Sequence, residues 1–272
     1  MMKRILLVPA VLLISVQLFG QGFGVPSKRG GIGFGNLTNF TGVRFNFKDR
    51  NIERITGINV TVWNAKHTED QTGTMTGISL GLPMAMGVEN QRGASVGIFG
   101  AGASKTLSGI NIAGLGLGAG DRVSGINLAG LGIGSGGSLS GINIAGLGAG
   151  AGGNVNGFNF GGLGIGAGGN LNGFSFGGLG VGAGGKVTGI SVGGIGIGAG
   201  DDLTGISAAL VGIGSGKRMR GIQVAGIGIG AGEMVSGLTI AGIGIGSETV
   251  KGVAVAGAVG GMKVQGIMIA PA

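Results

Sequence analysis

The sequence predicts an all-β repeat fold: a β-solenoid with about 16 residues per coil and two short strands per coil. Three observations predict it. The phrase Gly109-Ile110-Asn111-Ile112-Ala113-Gly114-Leu115-Gly116 recurs from Gly125, Gly141, Gly157, Gly173, Gly189, Gly205, Gly221 and Gly237, 16 residues apart each time. Within each unit apolar residues alternate with Gly or polar ones, the period of a half-buried strand. No proline lies between Pro83 and Pro271, as expected where ladders need every backbone N–H.

The two strands of a unit are expected at roughly Val123 to Leu128 and Leu131 to Ser135. Two strands are needed because the alternation changes phase: Ile110 and Ile112 share one parity, Leu115, Leu117 and Ala119 the other. One flat strand would turn half of them to the wrong face. Gly120-Asp121-Arg122, Gly136-Gly137-Ser138, Gly152-Gly153-Asn154 and their equivalents carry turn chemistry. On the rule that large apolar side chains are buried, Ile110, Ile112, Leu115, Leu117, Ala119 and Val123 point into a thin core. The polar column Asn111, Asn127, Asn143, Asn159, Ser175, Ser191, Ser207, Gln223 and Thr239 then faces outward. This column is the candidate interaction site. Phe158/Phe174 and Phe160/Phe176 occupy equivalent positions in adjacent units and are expected to stack.

Other periodic folds fit less well. Gly at every second position would cost a helix about 1 kcal/mol per residue relative to Ala. Collagen needs Gly at every third position. An outer-membrane β-barrel or antiparallel meander is the alternative, with Ile and Leu towards lipid. Membrane strands, however, run to about 9–11 residues with aromatic girdles, whereas this chain has no Tyr and one Trp, Trp63. No unit can fold alone. Ordering 16 residues costs roughly 1–2 kcal/mol each, and four aliphatic side chains return about 6–12 kcal/mol per unit.

In chain order, residues 1–20 read as a signal peptide: Lys3 and Arg4, the apolar run Ile5 to Phe19, then small and polar residues. Its removal leaves 16 basic and 10 acidic residues, lowering the net charge from +8 to +6. Residues 21–56 are expected to cap the stack, with a scattered basic cluster at Lys28, Arg29, Arg44, Lys48, Arg50 and Arg54 that reads as a solvated face. Residues 57–108 hold degenerate repeats with longer loops, and 109–272 the regular array. Gly42, Gly57, Gly77 and Gly97 are read as the early anchors, giving fifteen units from Gly42 to Gly266. The last unit, Gly266-Ile267-Met268-Ile269, lacks a polar cap, so its edge is expected to pair with another chain or with further sequence.

The phrases Thr41-Gly42-Val43-Arg44-Phe45-Asn46-Phe47-Lys48-Asp49-Arg50 and Thr56-Gly57-Ile58-Asn59-Val60-Thr61-Val62-Trp63, followed by the Gly-rich units, resemble exported surface repeat proteins of Bacteroidetes-like and Leptospira-like bacteria. The resemblance covers most of the mature chain. It implies a cell-surface or outer-membrane location, carries over no catalytic residue, and implies further strands after Ile269-Ala270-Pro271-Ala272.

Sharper chemistry finds little support. The Gly116-Leu117-Gly118-Ala119-Gly120 fragments never lead from a strand into a helix, as a dinucleotide or phosphate loop must. Asp201-Asp202 resembles a calcium-binding coil, but most units have no carboxylate there. His67, near Glu69 and Asp70 in a long polar insert, reads as an exposed loop histidine, and no Ser–His arrangement has a third oriented group. With no Cys, neither a disulfide nor a thiolate metal site can form. The expectation is a non-enzymatic structural or interaction protein without cofactor or metal, exported to the cell surface or outer membrane. A pore-like barrel and a self-assembling fibre subunit are the alternatives. Partners are expected to be an envelope component, a second copy through the C-terminal edge, or a membrane. Nucleic acid is excluded by the absence of any recognition motif.

Overall fold

A computed structural model describes residues 22–63 and 71–271. The expected signal peptide and the His67 insert lie outside the described residues. Every helix or strand among the described residues is a strand. The chain is a β-solenoid. From Thr74 onward long and short strands alternate, each pairing in parallel with its counterpart one coil away, so the antiparallel barrel or meander does not apply.

Two compact units divide at Gly120/Asp121. The first opens with an antiparallel hairpin, β1 (Phe23–Ser27) and β2 (Gly30–Phe34). Long strands β3 (Asn39–Lys48), β4 (Arg54–Trp63), β5 (Thr74–Gly81), β7 (Asn90–Gly97) and β9 (Thr106–Ala113) follow in parallel register. Short strands β6 (Met84–Ala85), β8 (Gly100–Ala103) and β10 (Gly116–Ala119) form the second sheet. The stack thus begins at β2 and already includes most of the segment expected as a cap. Gly93, rather than Gly97, is the fourth anchor, since it pairs with both Gly77 and Gly109.

The second unit is the regular array. It starts with β11 (Arg122–Ala129), β12 (Gly132–Ser135), β13 (Ser138–Ala145) and β14 (Gly148–Ala151), and ends with β27 (Thr249–Val255), β28 (Ala258–Gly260) and β29 (Lys263–Ile269). The long strand bends at its anchor glycine. Gly141 sits at φ 104°, and a Cβ there would run into the Gly125 carbonyl oxygen of the previous coil. Glycine is required at this position both by backbone conformation and by close approach.

The orientation expected from hydrophobicity is reversed on the long strand. Ile110, Ile112, Ile142 and Ile144 face out, as does Leu115 at the corner, while Asn111, Asn127 and Asn143 face in. Inward residues keep one parity through the coil. Leu139, Asn143, Ala145 and Ala149 are all buried, and the corner between Ala145 and Gly148 turns without changing it. The phase change lies in the apolar residues only: the corner position that continues the inward parity, Leu147, is exposed. Two aliphatic columns therefore make the core, Val123-type and Ile133-type, instead of four. At about 1.5–3 kcal/mol for each large side chain, the interior contributes roughly half the burial that the sequence pattern implies.

Candidate interaction surface

The nine residues of the polar column are interior groups. Asn111 in the first unit and Asn127, Asn143, Asn159, Ser175, Ser191, Ser207, Gln223 and Thr239 in the second are each at most 2% exposed. They cannot meet a partner in the folded chain. The amides among them bond along the stack: Asn127 Nδ2 donates to Asn143 Oδ1 at 2.8 Å, and Asn143 Nδ2 to Asn159 Oδ1 at 2.8 Å. The ladder weakens where the amides give way to hydroxyls, Asn159 Nδ2 reaching Ser175 Oγ at 3.5 Å. Stacked identical amides stabilise parallel in-register coils, so this column holds the fold.

In the first unit the same register runs from Arg44 through Asn59, Ser79 and Ser95 to Asn111. Arg44 is fully buried. Its Nε donates to Asn59 Oδ1 at 2.9 Å, its Nη1 to the Leu37 carbonyl at 2.7 Å, and its Nη2 pairs with Asp49. Asp49 also accepts from Asn46, Asn59 and Thr61. Burial lowers the Arg44 pKa, and the Asp49 carboxylate works against that shift. Each of the three guanidinium nitrogens meets an acceptor, which a buried charge requires.

Most outside charge of the second unit lies at or beside the turns, with Arg220 and Lys251 inside long strands. Lys217 pairs with Asp201 at 2.7 Å, and Asp202 meets Arg218 at 3.2 Å and Lys186 at 3.4 Å. Cations from neighbouring coils thus pair with both carboxylates of the Asp201-Asp202 segment. Desolvation opposes ionisation of Asp202, but hydrogen bonds from Arg218 and Lys186 outweigh it and hold its pKa below the usual carboxylate range. The hydrogen bond to Asp201 raises the Lys217 pKa.

What the exterior offers is apolar. In the second unit the outer face of the long sheet carries two columns: Ile126, Ile142, Phe158, Phe174 onward, and Leu128, Ile144, Phe160, Phe176 onward. Leu131, Leu147, Leu163, Leu179 and Ile195 form a third column at the corner, each 46–54% exposed. The phenylalanines stack as expected, Phe158 on Phe174 at 4.9 Å and Phe160 on Phe176 at 5.0 Å, nearly parallel. The first unit has its own outward apolar residues, including the stacked pair Phe47 and Trp63 at 6.4 Å. No protein-family model matches this chain, and no curated protein or solved structure is detectably similar to it. The surface itself carries the functional reading.

Sequence reasoning missed this surface because it took large apolar side chains as core. One signal could have found it: only one residue in each unit's long strand, the Val123-type, is large and apolar on the parity of the Asn. The last coil, Lys263–Ile269, is also largely exposed. No group of three or more His, Cys, Asp or Glu gathers as a metal site among the described residues.

Proposed function

We propose that this chain is an exported, non-enzymatic interaction scaffold of the bacterial cell surface or outer membrane, working through the apolar outer face of its long sheet. The observation that carries the reading is the run of outward Ile, Leu, Val and Phe through successive coils of the second unit. A folded chain gains nothing from leaving such a face in water. A contiguous apolar patch beyond about 300–600 Å² on a soluble protein marks an interaction site. The polar interior and the charged turns leave this face as the part able to bind without disturbing the fold.

The test is expression with the native N-terminus in a Gram-negative host, followed by fractionation and N-terminal sequencing. A product cleaved near Gly20 and found in the envelope is expected, and replacing Ile142, Ile144, Ile190 and Ile206 with Thr should release it to the soluble fraction. An uncleaved chain in the cytosol, or a Thr variant retained like the wild type, would overturn the proposal.

A further inference from the structure

We infer that the apolar face of the second unit binds the same face of a second copy of this chain, forming a face-to-face dimer; this rests on the preceding reading that the face is the functional surface. Ten long strands among the described residues line the face. Nine spacings of about 4.8 Å give a length of about 43 Å, and five residues from Ile142 to Leu147 at about 3.3 Å each give a width of about 16 Å. The footprint is on the order of 700 Å², close to the roughly 800 Å² per partner that a stable protein interface uses.

Texture points to a second copy rather than to a fluid surface. The side-chain rows repeat with the strand spacing, and another face with the same spacing can interdigitate with them as two packed sheets do. The relief is also self-complementary. In the second column Phe160 and Phe176 stand high, and Val192, Ala208 and Val224 follow directly in register. A two-fold axis parallel to the strands and passing over Val192 sets that coil against its own copy and pairs the flanking coils symmetrically about it, two apart and then four apart. Phe176 then meets the partner copy's Ala208 position, and Phe160 meets its Val224 position. In this column each ridge meets a smaller side chain, and the same match is made twice, as an isologous interface demands; in the first column Phe174 falls opposite the Ile206 position and Phe158 opposite the Ile222 position, an apolar contact without a dip. No charged residue lies in either column between Ile126 and Ile269; Arg220 and Lys251 stand on the same strands two residues before the first column, so the columns themselves bring no ion into the interface.

Sedimentation of the purified chain over a range of micromolar concentrations, alone and with vesicles of phosphatidylethanolamine and phosphatidylglycerol, tests the inference. A reversible dimer is expected. Phe176→Thr should weaken it at least tenfold by removing a ridge, and Ala208→Phe should do so by filling a dip. Gly166→Ala, away from the face, should leave it unchanged. Both face positions are outward and only partly buried, so thermal melts should match the wild type and separate lost association from lost folding. A dimer indifferent to both face variants would overturn the inference. A monomer that floats with vesicles and loses flotation on Phe176→Thr would overturn the second copy while supporting the face as the functional surface. A monomer that neither dimerises nor floats would count against both.

Discussion

Asn127 donates its side-chain amide to Asn143 at 2.8 Å, one coil and sixteen residues further on, with both side chains shut away from water. Asn143 in turn donates to Asn159, so each amide is satisfied by its neighbours in the stack. Asn143→Ala would orphan a donor on one side and an acceptor on the other. At about 1–3 kcal/mol for each buried group left unpaired, a loss of about 2–5 kcal/mol is expected in urea denaturation followed by far-ultraviolet circular dichroism. Asn143→Ser should fall between Ala and wild type. Ile144→Asp, one residue on but outward and 38% exposed, should cost less than Asn143→Ala. The reverse order would place the two side chains on opposite faces from those described.

The anchor glycines allow a second comparison. Gly141 combines φ 104° with a neighbouring carbonyl oxygen where a Cβ would stand, and strain of this kind is relieved only by moving the coil. Gly141→Ala is expected to destabilise by about 3 kcal/mol or more. Gly166 on the short sheet has an ordinary φ and open space around its Cβ position. Gly166→Ala should be neutral or stabilising by about 0.4–1 kcal/mol through the unfolded chain. Paired melting curves decide the matter, and equal losses would show that the two glycine columns serve the same role.

The period and the two-strand coil were legible because a fixed 16-residue repeat and period-two alternation follow directly from stacking and strand geometry. The facing of the strands was not, since hydrophobicity alone assigns Ile110 inward, whereas register and the amide ladder place Asn111 there. Gly93 was hidden for a related reason: Gly97 also precedes an apolar pair, and only the Gly77 and Gly109 pairing distinguishes them. Arg44 looked like part of a basic surface cluster because no spacing rule announces that Asp49, five residues on, folds back beside it.

That buried pair yields a third prediction. Arg44→Met keeps much of the side-chain volume but leaves the Asp49 carboxylate without its cation in a site closed to water. Breaking a buried pair from one side typically costs about 3–5 kcal/mol. The double variant Arg44→Met/Asp49→Asn should recover a measurable part of that loss, because the remaining group is then neutral and still meets Asn59 and Thr61. Chemical denaturation of wild type, both single variants and the double variant completes the cycle. Strict additivity would show that the pair is not coupled.

Asp202 supplies the pH dependence. Its pKa is lower in the folded chain than the ordinary value: desolvation is opposed, and outweighed, by hydrogen bonds from Arg218 and Lys186 and by their charges. The unfolded state therefore binds the proton more readily, and the contribution to stability is present above the unfolded pKa of about 3.9. It is lost as pH falls through the folded value. Asp202→Asn should lower the melting temperature slightly at pH 7, corresponding to no more than about 1 kcal/mol for a pair at the protein surface. The wild-type and variant melting curves should converge once the pH lies below both values, and the neutral-pH difference should shrink at high salt, because the Arg218 and Lys186 side chains are about half exposed and mobile ions screen them. A difference that persisted at low pH would mean that the aspartate acts through packing, with its charge playing no part.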